Sequence, residues 1–150
     1  MKRGFLLLIV AAGLAALILA GCQSTSGPSI KVEDAWGRPS SQETMMGAFY
    51  LVVKNEGSTE DTLVGAATSA CGVVELHESI MGPDNVMSMK PVEGGKIVIP
   101  AKGQVEFKPG GLHLMCINKM VAFNVGEKIP LTLKFEQAGE LSVEAEIRQP

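Results

Sequence analysis

Scarcity narrows the chemistry open to this chain. Its 150 residues include two histidines, three cysteines, one tryptophan and one tyrosine. No two cysteines stand in Cys-x-x-Cys spacing, which excludes a thioredoxin-type dithiol and the usual cysteine-rich zinc sites. No Gly-x-Ser-x-Gly elbow and no glycine-rich phosphate loop occurs. The stretch "HESIM" (77–81) begins like the metalloprotease motif HExxH but carries Met where the second histidine belongs. The chain therefore reads as a binding protein and not an enzyme. Basic residues are also in short supply, 13 Lys and Arg against 16 Asp and Glu, and they form no patch, so nucleic acid is not an expected partner. Helical periodicity is missing as well: no stretch after the first 21 residues keeps a 3.6-residue period for three turns.

What is present begins with a leader. Lys2 and Arg3 precede an uncharged apolar run from Phe5 to Ala20, the pattern of a secretory signal. The stretch "LAGC", Leu19 to Cys22, resembles the lipobox of bacterial lipoproteins, in which the cysteine becomes the lipidated first residue of the mature chain. The expected organisation is a lipoprotein signal peptide over 1–21, a lipidated tether over 22–29 and one domain over 30–150. The polar "QSTSGPS" after Cys22 spans about 25 Å when extended at about 3.5 Å per residue, so the domain would stay near its membrane. This places the protein outside the cytoplasm, on the periplasmic or cell-surface side, where disulfides are permitted. Cys71 and Cys116 are the two remaining cysteines and could pair.

The domain reads as all-β. Runs with a period of two, divided by Gly, Pro, Asn and Asp, predict strands at 30–36, 47–55, 62–68, 72–79, 86–90, 96–100, 104–108, 112–118, 130–136 and 140–147. Short strands at this spacing predict a sandwich or barrel. Trp36 is expected as a core anchor with Arg38 near it.

Methionine and histidine are unevenly spread. Seven methionines follow the initiator, and five of them, Met81, Met87, Met89, Met115 and Met120, lie in or near the segments that carry His77 and His113. Side chains two apart on a strand share a face. His113 and Met115 are therefore in step, as are Met87 and Met89. A hairpin across "GPDN" returns Met87 and Met89 to the side of His77. Imidazole and thioether are neutral ligands, and soft sulfur selects Cu(I), whereas zinc sites use Cys, His and carboxylate. Taken singly, each methionine reads as core and each histidine as an ordinary polar group. Their convergence on a few strands points to copper. Glu75 and Glu78 flank His77, either orienting it or forming a solvated edge. Cys116 is out of step with His113, and both cysteines read as buried small hydrophobes and not as ligands. A blue-copper electron carrier is disfavoured because no histidine follows Cys116.

The stretches "VELHE" (74–78), "MSMKPVEGGKIVIPA" (87–101) and "KPGGLHLM" (108–115) together resemble the PCuAC family of periplasmic copper chaperones. The resemblance extends through "GAFYLVVKNEGSTEDTLVGAAT" and the C-terminal "GEKIPLTLKFEQAGELSVEAEI". It implies a cupredoxin-like Greek-key β-sandwich and a Cu(I) site built by His77, Met89, His113 and Met115. Eleven residues lie between His77 and Met89 and 23 between Met89 and His113, somewhat more than the family's motif has, which keeps Met87 as an alternative ligand. It further implies a metallochaperone, membrane-bound through its lipid. That chaperone would deliver copper to a respiratory acceptor, such as the dinuclear copper centre of cytochrome c oxidase, or to another copper chaperone. A copper-buffering lipoprotein and a purely structural one are the alternatives.

Overall fold

The structure is a computed structural model that describes residues 27–150. The signal peptide and the lipidated Cys22 expected from sequence lie outside the described residues. Ten strands carry the fold: β1 (Ile30–Gly37), β2 (Met46–Asn55), β3 (Asp61–Ala67), β4 (Cys71–Met81), β5 (Met87–Pro91), β6 (Ile97–Ile99), β7 (Gln104–Phe107), β8 (Leu112–Lys119), β9 (Lys128–Phe135) and β10 (Gly139–Ile147). Each corresponds to an expected strand within two residues. A 3-10 turn at Glu93–Gly95 was not anticipated.

Pairing runs β4-β8-β2-β1-β10-β9-β3, and a β3–β4 bridge at Ala66 and Val74 joins the two ends. The cupredoxin-like β architecture is thereby a seven-strand ring, with β5, β6 and β7 laid along β4, β3 and β2. Closure removes the exposed edges that an open sheet would have to protect. All pairings are antiparallel except β1 with β10, where Trp36 and Gly37 lie beside Glu146 and Ile147. An extra residue in β1 between Glu33 and Trp36, with Asp34 at φ 50°, bulges that strand just before β10 joins its other edge.

Alternation explains the core. Phe49, Leu51 and Val53 of β2 point inward and are fully buried with Leu63, Ile99, Leu131, Leu133, Ala145 and Ile147. Phe123 closes the core over Gly47, where a Cβ would come within 2.7 Å of the phenyl ring, so only glycine lets the ring settle. Leu76 and Leu114, a direct β4–β8 pair, complete the interior beneath the site described next.

The cysteines take the pairing that the sequence left open. Both are buried, as expected, and they are joined to each other by a disulfide, with Cα atoms 5.5 Å apart. Cys116 follows the inward parity of Leu114. Cys71, the first residue of β4, turns inward out of step with the exposed Val73, which is why strand parity alone did not bring the pair together.

Candidate metal centre

On the outer surface, one residue out of phase with Leu76 and Leu114, His77 of β4 stands directly opposite His113 of β8. The row continues across the sheet. Pro91 of β5 lies beside His77, Tyr50 of β2 has its ring centre 6.5 Å from that of His113, and Trp36 of β1 stacks 4.5 Å from Tyr50. Trp36 is buried but is not a core anchor; it belongs to this outer row, and Arg148, not Arg38, lies over its ring at 5.4 Å. The row shields the histidines: His77 is 8% and His113 2% exposed, although both face away from the core.

Hydrogen bonds fix both rings. His77 donates Nε2–H to Glu75 Oε2 at 2.9 Å, and His113 donates Nδ1–H to the Gly111 carbonyl at 3.0 Å. A carboxylate and a carbonyl only accept, so each contact dictates the tautomer. What remains is one bare nitrogen per ring, Nδ1 of His77 and Nε2 of His113. Both are buried and without a hydrogen-bond partner. Unpartnered buried nitrogens are uncommon in native proteins and call for an explanation. The ring centres are 5.8 Å apart. Burial holds the His113 pKa below the ordinary imidazole value, partly offset by the Gly111 carbonyl, and a positive charge on His77 would act in the same sense as burial. Burial thus favours the neutral form of the His113 ring, the form that binds metal.

Thioethers border the pair. Met115, two residues from His113 on the same face, is half-buried, opposite Glu75 on one side and Ala48 on the other. Met89 stands across from Ser79, two pairs beyond His77 and the next on its face, and Met87 stands across from Met81 at the hairpin end. All of these share the outer face. Their rank differs: Met89 is the diagonal neighbour of His77, whereas Met87 is two residues farther out, with its methyl 4.0 Å from where a Cβ on Gly110 would sit. Among the described residues no three His, Cys, Asp or Glu side chains gather as a metal site, so the soft donors beside the ring nitrogens on this face are the methionine sulfurs.

The four residues implied by the resemblance, His77, Met89, His113 and Met115, therefore lie on adjacent strands of one face. Of the two flanking glutamates, Glu75 contacts His77, while Glu78 turns away to Lys90 at 3.2 Å. Sequence reasoning missed Tyr50, Trp36 and the Gly111 carbonyl. Alternation along β2 sets Tyr50 opposite in phase to Leu51, but only the pairing of β2 with β8 reveals what it touches.

Comparison with known proteins points the same way. The family model described as "Putative lipoprotein LpqE-like" matches residues 30–147. A relative named "Putative lipoprotein Lxx21020", from Leifsonia xyli subsp. xyli, is 29% identical over 119 residues, covering 79% of this chain and 69% of its own. Among solved structures, the apo PCuAC domain from PmoF1 is 25% identical with a TM-score of 0.68, over 83% of this chain and all of that domain. The solution structure of CuI-DR1885 from Deinococcus radiodurans is 26% identical with a TM-score of 0.58, over 89% of this chain and 85% of its own. The resemblance drawn from the sequence is borne out in fold and in family.

Proposed function

The chain belongs to the LpqE-like family, and from that premise we propose that it is an extracytoplasmic Cu(I)-binding metallochaperone. Its ligands are His77 Nδ1, His113 Nε2, Met115 and Met89. The observation that carries this reading is the pair of bare, buried ring nitrogens facing one thioether-bordered surface. The donor set suits the ion: two imidazoles and two thioethers are neutral and soft, a match to monovalent copper and a poor one to zinc. CuI-DR1885, whose name carries that ion, supports the same assignment.

Delivery follows from the same chemistry. Neutral ligands release Cu(I) to a thiolate-bearing acceptor without leaving a charged cage behind. Met89 is 57% exposed, so one ligand can be displaced from solvent while the two histidines hold the ion from below. The acceptor is a membrane-bound respiratory copper site, such as the dinuclear centre of cytochrome c oxidase, or a further copper chaperone. Lipid on Cys22 keeps the protein beside it; the lipoprotein names of the family and of the Leifsonia relative support this placement.

Two measurements test the reading. Titration of the full chain in detergent against a competing Cu(I) chelator should give one tightly bound Cu(I), and His113→Ala should weaken it about 100-fold, on the order of 2.7 kcal/mol. Copper-loaded protein should then metallate the apo copper domain of the oxidase faster than a chelate of matched affinity does. Equal rates, with normal respiration in a deletion strain at limiting copper, would reduce the role to copper buffering.

A further inference from the structure

The β4–β5 hairpin carries three methionines that the four-ligand site does not account for together. Met81, Met87 and Met89 are 60%, 51% and 57% exposed. All five residues of β5 are exposed on both of its faces, so none of these side chains belongs to a core. Nor are they scattered. Met81 and Met87 are a direct cross-strand pair, and Met89 follows Met87 on the same face. Direct pairs place Cβ atoms about 4.5–5.5 Å apart, and the next residue on the same face is about 7 Å along the strand. Three flexible thioethers on that triangle can bring their sulfurs together above the hairpin. The hairpin's charged pair, Glu78 with Lys90, is one residue out of phase and faces the other side.

We propose that Met81, Met87 and Met89 form a second, solvent-facing site for a soft monovalent cation, Cu(I) or Ag(I), through which the ion enters and leaves the histidine site. The route into that inner site rests on the function proposed above; the outer site itself does not. Met89 serves the two sites in turn, since it is also the diagonal neighbour of His77: it holds an ion in transit with Met81 and Met87, and once the inner site is filled it stays there and the Met81 and Met87 sulfurs alone hold the outer ion. Passage inward is ligand exchange without redox change. The Met89 sulfur stays bound, the sulfurs of Met81 and Met87 leave, and His77 Nδ1, His113 Nε2 and the Met115 sulfur enter. No proton moves, because both ring nitrogens are already bare. Met87 thus takes the outer role and Met89 the shared one.

The test is an Ag(I) titration of the full chain in detergent, carrying labelled methionine methyls and histidine rings. The first equivalent should shift His77, His113, Met89 and Met115, and the second should shift Met81 and Met87. In the Met81→Leu, Met87→Leu variant, bound Ag(I) should fall from two to one, and loading from a weak Ag(I) chelate should slow at least tenfold with the inner affinity unchanged. Met81 and Met87 methyls that stay still at two equivalents, or one bound ion in both proteins, would overturn the outer site. The inner site is read separately: a response at Met81 and Met87 with unmoved His77 and His113 rings would support the outer site and overturn the proposed function instead.

Discussion

Leu76 and Leu114 face one side of the β4–β8 pair; His77 and His113, one residue farther along each antiparallel strand pair, face the other. Both pairs are buried, yet they differ in what burial leaves undone. The leucines are apolar, so close packing satisfies them completely. The histidines are covered by Tyr50, Pro91 and the β7–β8 turn, and each still holds a nitrogen without a partner. Low exposure by itself therefore does not separate core from site on these strands. Burial with an unpartnered lone pair does, because a lone pair shut away from water costs free energy until something binds it.

That contrast can be broken from either side. The largest effect is expected on the inner face: Leu114→Ala should lower unfolding free energy by about 2–5 kcal/mol in urea titration, while the folded fraction still binds one Cu(I). Next comes the disulfide, which joins the core side of β8 to the start of β4, away from the histidine row. Residues 71 and 116 are 45 apart, and the loop entropy their bond removes from the unfolded chain is worth up to about 4 kcal/mol. The Cys71→Ala, Cys116→Ala variant should lose about 2–4 kcal/mol and keep its copper; loss of copper with the fold intact would mean that core sulfur serves the site. The smallest effect sharpens the outer face. Glu75→Ala frees the His77 ring to change tautomer and should weaken Cu(I) binding about 10-fold to 100-fold with little change in melting temperature. Glu75→Gln keeps an acceptor and should recover most of that loss. Equal affinity in all three proteins would show that Glu75 does not set the ring.

Much of this was legible in the sequence because it is local. Alternation at "PLTLKFE" and "ELSVEAEI" and the breaks at "GPDN", "AKG" and "PGG" locate the strands. The convergence of His77 with Met87 and Met89 follows from one hairpin. Pairings between distant strands were not legible. Nothing in the local pattern says that β4 lies beside β8 in the register that sets His77 against His113, or that β1 runs parallel to β10. The disulfide stays only a possibility in the sequence for the same reason: parity is a rule for regular strands, and Cys71 sits at the first residue of one, where the chain is still turning out of the β3–β4 connection. The tautomers of the two histidines depend on a glutamate side chain and on a turn carbonyl, whose direction no pattern of residue types encodes.

Strand direction has one more consequence. β2 and β4 each run antiparallel to β8, so they run the same way. From the histidine row, β2 continues to Asn55, which pairs with Ile30 at the start of β1, and β4 continues to Met81. The point where the tether meets the barrel and the methionine tip of the hairpin are thus at the same end of the sheet. With the proposed lipid on Cys22, a short leash would turn that end toward the bilayer. Encounter with a membrane-bound acceptor then becomes a search in two dimensions, with the copper-bearing end already facing its target. Effective concentration, set by leash length, would govern transfer more than bulk affinity does.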